Sequence, residues 1–318
     1  MKTTFPIFDA HEDIAFHLSY FNRDFVNPQM PCMITLPGLK EGNIRFVLNT
    51  IFVHPKLRPE KTVENANLQL QIYEELYEKY NQDIVKITNS DDIDTAIEEH
   101  KIGFITLMEG ADPLENPDSV FEYYNKGLRV LGLSWNNQNT YASGPDSDDG
   151  VSDDGFKLLE NINKLRITLD FSHLNKVSFW QAMEKYEHTP IASHSNASSL
   201  TFHPRNLDDE QLLEISGRGG VIGIVLYNHF IKTADKKPTL EDIYKHIDYI
   251  INLCGENHVG IGSDLDGARV NDFPRQIRNV SKLQRIPQYL ITKGYSQKLV
   301  RKVCYDNFLN LFSRSLKL

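Results

Sequence analysis

The chain has 318 residues, of which 40% are hydrophobic and 24% are charged, and its formal net charge at pH 7 is −9. These proportions are typical of globular proteins and exclude a largely disordered or fibrous chain. The acidic balance argues against nucleic acid or an anionic membrane as a partner, and no apolar run approaches the roughly 20 residues of a membrane span.

Short apolar stretches alternate with longer amphipathic ones along the whole chain. The apolar stretches are nearly continuous runs of Val, Ile, Leu and Phe, which is typical of strands buried on both faces. The predicted strands are Phe5–Asp9, Ile44–Val53, Ile102–Met108, Leu128–Ser134, Arg166–Ser172, Pro190–Ser193, Gly220–Tyr227 and His258–Ser263.

The stretches between them have the spacing of helices. In the first, Leu68, Ile72, Leu76 and Tyr80 recur every four residues and form one apolar stripe. Asp208 and Ser296 stand where N-caps are expected. The predicted helices are Thr62–Tyr80, Asp153–Leu165, Lys176–Tyr186, Asp208–Ser216, Leu240–Leu253, Lys282–Ile291 and Ser296–Phe312.

About eight buried strands, most of them followed by a helix, predict a closed (β/α)8 TIM-like barrel. We expect residues 1–318 to form a single domain of this barrel type, because no linker divides the chain. The alternative, a doubly wound open sheet, would usually carry a glycine-rich phosphate turn after an early strand, and none is present. Residues 136–155, rich in Gly, Ser, Asn and Asp, predict a long loop at the barrel mouth.

Polar side chains stand at the C-terminal ends of the predicted strands, which is where barrels of this class hold their active sites. His11 and Asp13, at the end of the first strand, are two residues apart, so their side chains point the same way. We therefore expect three histidines and three carboxylates to meet at one rim. They are His11, Asp13, Glu109, His173, His194 and Asp264.

This set of side chains suits a borderline divalent metal, Zn²⁺ first. Two ions need a shared ligand, and Glu109 can give one oxygen to each. His11 and Asp13 would complete one site and His173 and His194 the other, which leaves each ion an open position. A hydroxide bridging the ions would be the nucleophile.

Charge counting gives the remaining carboxylate a role. Asp13, Glu109 and a hydroxide would offset most of the charge of two dications, and Asp264 would bring the site close to neutral. Its carboxylate is therefore well placed to shuttle a proton.

A simpler reading exists for each histidine, because a single His near a strand end is more often a structural residue. The joint occurrence on several strands is what favours a metal centre. His54 and His229 also follow strands and could reach the mouth, but no such pattern supports them.

At these residues the sequence resembles the membrane (renal) dipeptidase family of zinc metallopeptidases. The similarity runs in order over nearly the whole chain, and the opening segment is similar to the family's D-G-H-N-D. The segments that carry the resemblance are Asp9–Asp13, Glu109–Gly110, Gly127–Arg129, Asp170–His173, Ser193–Ser195, His203–Asn206 and Gly262–Gly267.

The resemblance implies a distorted barrel with two zinc ions that hydrolyses dipeptides with a free C-terminal carboxylate. It implies zinc binding by the five ligands above and proton transfer by Asp264. Arg205 would pair with the substrate carboxylate, for which a guanidinium fork is well suited. Tyr227 and Asn228 match a substrate-lining segment. Family members commonly accept a D-residue on the C-terminal side, so peptidoglycan-type dipeptides are expected substrates.

Three features depart from the family. The fourth strand often ends Thr-His, with the His contacting substrate, but here the pair is Ser134-Trp135. Trp135 either donates its indole N–H to the substrate or only walls the pocket. Arg166 replaces a Gly before the fifth strand. We also expect no signal peptide or membrane anchor, because residues 1–13 lack a basic segment followed by an apolar one.

The sequence thus predicts a cytoplasmic, zinc-dependent dipeptidase that acts on small dipeptides. One alternative is another metal-dependent hydrolase on this scaffold, cleaving a cyclic amide, a lactone or a modified amino acid. A second is a binding protein that has kept the fold and lost catalysis, although the intact ligand set and Asp264 argue against it. The oligomeric state stays open, with a homodimer as one option.

Overall fold

The computed structural model describes residues 4–57, 60–232 and 237–317. Within these ranges, nine strands pair in parallel in one sheet. They are β1 (Ile7–Glu12), β2 (Ile44–Phe52), β3 (Ile84–Lys86), β4 (Ile102–Glu109), β5 (Leu128–Gly132), β6 (Thr168–Asp170), β7 (Ile191–Ala192), β8 (Val221–Ile224) and β9 (Val259–Ile261).

Eight of these strands close a ring, which confirms the predicted (β/α)8 barrel. The order is β1, β2, β4, β5, β6, β7, β8 and β9, and β9 pairs back to β1 at Ile261 and Asp9. The ninth strand, β3, pairs with the first three residues of β4, whereas β5 pairs with the last four. Three residues are too few to show a periodicity, so sequence patterns missed β3.

Helices connect the strands and cover the barrel. They are α1 (Ile14–Phe21), α2 (Leu36–Glu41), α3 (Thr62–Lys79), α4 (Ser90–Glu98), α5 (Ser119–Asn125), α6 (Asp153–Leu165), α7 (Lys176–Lys185), α8 (Asp209–Gly217), α9 (Asn228–Ile231), α10 (Leu240–Cys254), α11 (Arg285–Thr292), α12 (Gln297–Arg301) and α13 (Asn307–Ser315). Among the described helices, none is both long and apolar enough to cross a membrane.

Side-chain caps begin two of the predicted helices where the sequence indicated. Asp208 accepts a hydrogen bond from Gln211 N at 3.0 Å, and Ser296 accepts one from Leu299 N at 3.2 Å. The predicted helix after Ser296 is present: the backbone is helical from Gln297 to Ser315, with a π-helical turn over Lys302–Asp306 between α12 and α13.

The buried face of α3 differs from the predicted stripe. Leu68 is 44% exposed, whereas Gln69 is fully buried and pairs with both the N–H and the C=O of Phe52 on β2. Tyr73 donates to Thr50 O on the same strand at 2.8 Å. Residues four apart advance 400° around a helix of 3.6 residues per turn, so a long i, i+4 row rotates off any one face. The buried residues of α3 are instead spaced three and four apart, as from Ala66 to Gln69, Tyr73 and Leu76.

Aromatic packing closes the early part of the barrel strands. Phe8 on β1 stacks on Phe46 of β2 and on Phe308 and Phe312 of α13, with ring centroids 5.4–5.6 Å apart. All four rings are buried. Apolar side chains thus pack near the N-terminal ends of these strands, and the polar side chains lie towards the C-terminal ends.

Candidate metal centre

The predicted ligands come together at the C-terminal ends of the barrel strands. His11 lies in β1, Glu109 is the last residue of β4, and the others follow their strands closely. All five candidate ligands are at most 7% exposed. They are His11, Asp13, Glu109, His173 and His194.

One carboxylate oxygen is the centre of this arrangement. Glu109 Oε1 lies 2.8 Å from His173 Nε2, 3.4 Å from His194 Nε2 and 3.5 Å from His11 Nε2. Asp13 Oδ2 lies 3.8 Å from the same nitrogen of His11. Ring nitrogens of three histidines, each in or just after a different strand, thus lie around one carboxylate oxygen. This arrangement is expected if Glu109 is a ligand shared by two metal ions.

Three groups of side chains in the described chain have ligand atoms within 4.8 Å of one another, close enough to hold an ion. The first, Glu109 with His173 and His194, is one of the two predicted sites. The second joins His11 and Asp13 to Asp264, where the sequence analysis had expected Glu109. The third combines His11, Asp170 and His194, and Asp170 was not among the predicted ligands.

The charge states of these groups suit a cation. Burial lowers the pKa of His11 to about 3 and that of His194 well below its ordinary value, so both rings are neutral and offer lone pairs. Burial also raises the pKa of Glu109 well above normal, and the charges of Asp13 and Asp264 add to this. A dication would relieve this repulsion.

Two buried polar atoms support the same fit. His11 Nε2 and Asp13 Oδ1 have no hydrogen-bond partner among the described residues. An unpaired buried polar atom is costly and needs an explanation. Both atoms belong to predicted ligands, and a metal ion between them would satisfy both.

Asp264 faces the same space from the loop after β9. Desolvation of its carboxyl raises the pKa of Asp264 to about 7, with a smaller raising effect from Asp9, while Arg205 opposes both. Its backbone is left-handed, at φ 61°. A Cβ at Gly267 would come within 2.1 Å of Asp264 Oδ1, so the loop needs glycine there. A carboxyl with a pKa near 7 is suited to exchange a proton at neutral pH.

A cavity of about 540 Å³ opens above these side chains. Three of the residues predicted to bind substrate, Trp135, Arg205 and Tyr227, line it, and so does His229, to which the sequence gave little weight. Asn228 is not among the lining residues, and its amide donates to Asn271 O at 3.2 Å. The other lining residues are Asp13, Phe52, Glu109, Asn136, Pro145, Asp146, His173, His203, Pro204, Phe230, Asp264, Gly267 and Ala268.

Arg205 is a buried cation beside the centre. It is 3% exposed, and one terminal nitrogen donates to His194 O at 3.0 Å. Its Nε has no partner among the described residues. Burial lowers the pKa of Arg205 to about 10, which leaves the guanidinium charged at neutral pH.

Trp135 forms one wall of the cavity. Its ring centroid lies 5.3 Å from that of Phe52 and 5.9 Å from that of His173. Asn136, the next residue, places its Oδ1 2.8 Å from His173 Nδ1. The sequence analysis missed Phe52 and Asn136, although Asn136 begins the loop that was predicted at the barrel mouth.

Two further carboxyls lie behind the predicted ligands on β1. Asp9 accepts hydrogen bonds from the N–H and the hydroxyl of Ser263, at 2.7 and 2.5 Å. Glu12 is fully buried, where the family motif D-G-H-N-D has Asn. Burial raises the pKa of Asp9 to about 6 and that of Glu12 well above its ordinary value. The sequence analysis gave neither residue a role.

A parallel barrel with clustered, buried imidazoles and carboxylates at the strand C-terminal ends defines a metal-dependent hydrolase. The chain belongs to the membrane dipeptidase family, peptidase family M19, which it matches over residues 1–316. It is therefore a metallo-dipeptidase, a hydrolase of peptide bonds.

Known proteins are similar to it in sequence and in structure. A Klebsiella pneumoniae protein, described as an uncharacterized protein in the pqqA 5′ region, is 33% identical over 232 residues, which are 69% of this chain and 84% of the relative. The crystal structure of dipeptidase AC, a metallopeptidase of family M19, is 27% identical with a TM-score of 0.93, covering 99% of this chain and 100% of that one. A Rhodobacter sphaeroides metallopeptidase, solved with a phosphinate mimic of L-Ala-D-Ala, is 25% identical with a TM-score of 0.92, covering 98% and 100%.

Proposed function

We propose that this metallo-dipeptidase depends on zinc and binds two ions per chain, with Glu109 shared between them. His11 and Asp13 complete one site, and His173 and His194 complete the other. The observation that carries the proposal is the convergence of three imidazole Nε2 atoms within 3.5 Å of Glu109 Oε1. Zinc bound there would polarise the peptide carbonyl and lower the pKa of a bound water.

Residues of the chain supply the rest of the chemistry. Asp264 accepts a proton during attack on the peptide carbonyl and passes it to the leaving amine, a role that its raised pKa supports. Arg205 holds the C-terminal carboxylate of the dipeptide, because it is a cation in the cavity wall whose Nε has no partner in the part of the chain that the structure describes. Trp135 and Tyr227, which line the same cavity, contact the substrate.

We propose that the enzyme accepts a D-residue on the C-terminal side of the dipeptide. The support is the similar Rhodobacter sphaeroides metallopeptidase, whose structure holds a mimic of L-Ala-D-Ala. A panel of matched L,L- and L,D-dipeptides tests this point. Cleavage of the L,L-dipeptides alone would contradict it.

The metal proposal is tested by elemental analysis of freshly purified protein together with activity before and after chelation. We expect two zinc ions per chain, loss of activity on chelation and recovery on addition of zinc. Glu109→Ala is expected to lose both ions, since it removes a ligand from each. Full activity with one bound ion at most would contradict the binuclear centre.

The anchor role of Arg205 is tested with free and amidated dipeptides. We expect the wild type to cleave an amidated dipeptide poorly, and Arg205→Ala to weaken cleavage of the free dipeptide while leaving the amidated one unaffected. If the wild type cleaves both equally well, the carboxylate is not the recognised group.

We also propose a cytoplasmic location, in line with the three free cysteines and the net charge of −9. Small dipeptides are the expected partners of the enzyme, and we expect no binding to nucleic acid. Cell fractionation tests the location, and light scattering of the purified enzyme tests whether it forms a homodimer.

A further inference from the structure

We infer that Ser193 is a positioning residue shared by both ion sites. Its hydroxyl fixes the ring orientation and the tautomer of His11 and His194 together. This inference rests on the proposed binuclear centre, in which His11 serves one ion and His194 the other.

The Ser193 hydroxyl lies at the meeting point of four side chains. Its Oγ is 2.7 Å from His194 Nδ1, 3.3 Å from His11 Nδ1, 2.5 Å from Asp170 Oδ2 and 3.4 Å from Ser172 Oγ. Ser193 is fully buried and Asp170 is 2% exposed. Water therefore has little access to this contact, and these groups must satisfy one another.

Hydrogen counting sets the direction of each bond. A hydroxyl has one hydrogen and two acceptor lone pairs. The Asp170 carboxylate accepts the hydrogen of Ser193. The lone pairs are left for two N–H donors when the Ser172 hydroxyl donates to Ser195, which lies at the same 3.4 Å distance. His11 and His194 then both carry their hydrogen on Nδ1. Each ring consequently turns an unprotonated Nε2 towards Glu109.

The third imidazole has a separate support. His173 Nδ1 lies 2.8 Å from Asn136 Oδ1, on the loop after β5. Asn136 therefore acts on one ion site only, whereas Ser193 acts on both. Outer partners of this kind typically change metal affinity by about 10- to 100-fold when removed.

The test is a zinc titration of the metal-stripped, full-length protein by calorimetry with a competing chelator. For Ser193→Ala we expect both zinc affinities to fall by about 10- to 100-fold. For Asn136→Ala we expect a fall at one site and an unchanged affinity at the other. Neither readout requires activity.

Ser195→Ala is the matched control. Ser195 is equally buried and lies two residues along the chain, but its recorded side-chain contact is Ser172 Oγ at 3.4 Å rather than a ligand ring. Its removal deletes the same hydroxyl group from the same loop. We expect both zinc affinities to stay within about threefold of wild type.

Asp170→Asn tests the hydrogen direction if Ser193→Ala does not fold. Asp170 Oδ1 accepts from Ser172 N at 3.0 Å and from Ser193 N at 2.8 Å, so the amide oxygen of Asn must take that place. The NH₂ group would then donate to Ser193. The nearest acceptor left for the hydroxyl hydrogen would be His194 Nδ1 at 2.7 Å, closer than Ser172 Oγ at 3.4 Å, and Nε2 of His194 would then become protonated. We expect at least about a tenfold loss of affinity at one site.

The outcomes separate this inference from the proposed function. If the wild type binds fewer than two zinc ions, the binuclear centre itself is wrong. If the wild type binds two ions but Ser193→Ala leaves either affinity unchanged, or matches Ser195→Ala, the shared role of Ser193 is overturned while the binuclear centre stands.

Discussion

Two effects act on the Asp264 carboxyl in opposite directions. Desolvation favours its protonated form, and the Arg205 guanidinium favours its ionised form. The result is a pKa of about 7 in the metal-free chain, which suits the proton-transfer role proposed for Asp264. The neighbouring imidazoles are kept neutral by burial and are suited to hold a metal instead.

Asp264→Asn keeps the size of the side chain and removes its ability to exchange a proton. We expect kcat to fall by about 10²- to 10⁴-fold, the usual contribution of general acid–base catalysis. Zinc content should stay at the wild-type level, because Asp264 is not among the five proposed ligands. Steady-state kinetics with elemental analysis of the same preparation checks this. Loss of an ion, or kcat within tenfold of wild type, would contradict the proton-transfer role.

Trp135, which stands where the resemblance to the family implies a histidine, lies in the wall of the cavity, 5.9 Å from the His173 ring. Trp135→Phe keeps an aromatic wall against Phe52 and removes the indole N–H. Loss of one oxyanion donor typically costs about 10²- to 10³-fold in turnover, and we expect a fall of at least about tenfold with unchanged zinc content.

The two roles of Trp135 give different kinetics. If the N–H stabilises charge on the substrate, kcat falls for every dipeptide tested. If Trp135→Phe keeps near wild-type turnover and only shifts the preference among dipeptides, the indole shapes the pocket and donates nothing.

At the scale of elements, the residue that follows α6, Arg166, has a left-handed backbone conformation. Arg166 has φ 54°, and the N–H of Ile167 donates to Ile162 O at 3.1 Å, which is the bonding of a Schellman cap. Left-handed backbone costs a residue with a Cβ about 1–2 kcal/mol. Glycine, which the resemblance to the family implies at this position, would avoid that cost.

Arg166→Gly should therefore stabilise the fold. Removing the Cβ relieves the cost of left-handed backbone, whereas the greater flexibility of glycine stabilises the unfolded chain by roughly 0.4–1 kcal/mol. The first effect is larger, so we expect the free energy of unfolding to rise by about 0.5–1 kcal/mol. Urea denaturation of the metal-stripped protein measures it. The control is Lys164→Gly, at an exposed position inside α6, which should cost about 1 kcal/mol. A loss of stability in Arg166→Gly would show that the Arg166 side chain makes a compensating contribution.

At the scale of the whole molecule, the metal centre joins β1, β4 and the loops after β6, β7 and β9. Ions bound there would stabilise the folded chain alone, because the unfolded chain cannot assemble these ligands. Removal of metal by a chelator is therefore expected to lower Tm.

The difference in Tm between zinc-loaded and zinc-free protein should grow as pH rises from 5 to 8. In the zinc-free chain the raised pKa of Asp264 stabilises the fold most below about pH 4, and that contribution is lost as pH rises through about 7. Zinc must displace protons from Glu109, whose pKa is also raised, so binding strengthens over the same range. His11 does not compete, since its pKa is lowered to about 3.

Differential scanning fluorimetry at a series of pH values checks this dependence. Glu109→Ala is the control, because zinc should raise its Tm little at any pH. A Tm difference that is constant, or that shrinks with rising pH, would contradict proton displacement at these carboxyls.

The sequence by itself determined the barrel and the six side chains that converge at its rim. Both depend on local patterns. A buried strand is a short apolar run, and a polar residue just after it lies at the strand's C-terminal end whatever the rest of the chain does. The N-caps at Asp208 and Ser296 were predictable for the same reason, since their bonds span three residues.

Tertiary structure decided the features that depend on which distant segments meet. Leu68 is exposed and Gln69 buried because β2 offers backbone groups that a glutamine amide can satisfy. His229 lines the cavity, whereas the Asn228 amide donates to Asn271 O, 43 positions later in the chain. The Ser193 hydroxyl contacts a ring 182 positions earlier in the chain. Such contacts arise from closure of the barrel, which brings β1 beside β9 and its neighbours, and no pattern within a few residues can encode them.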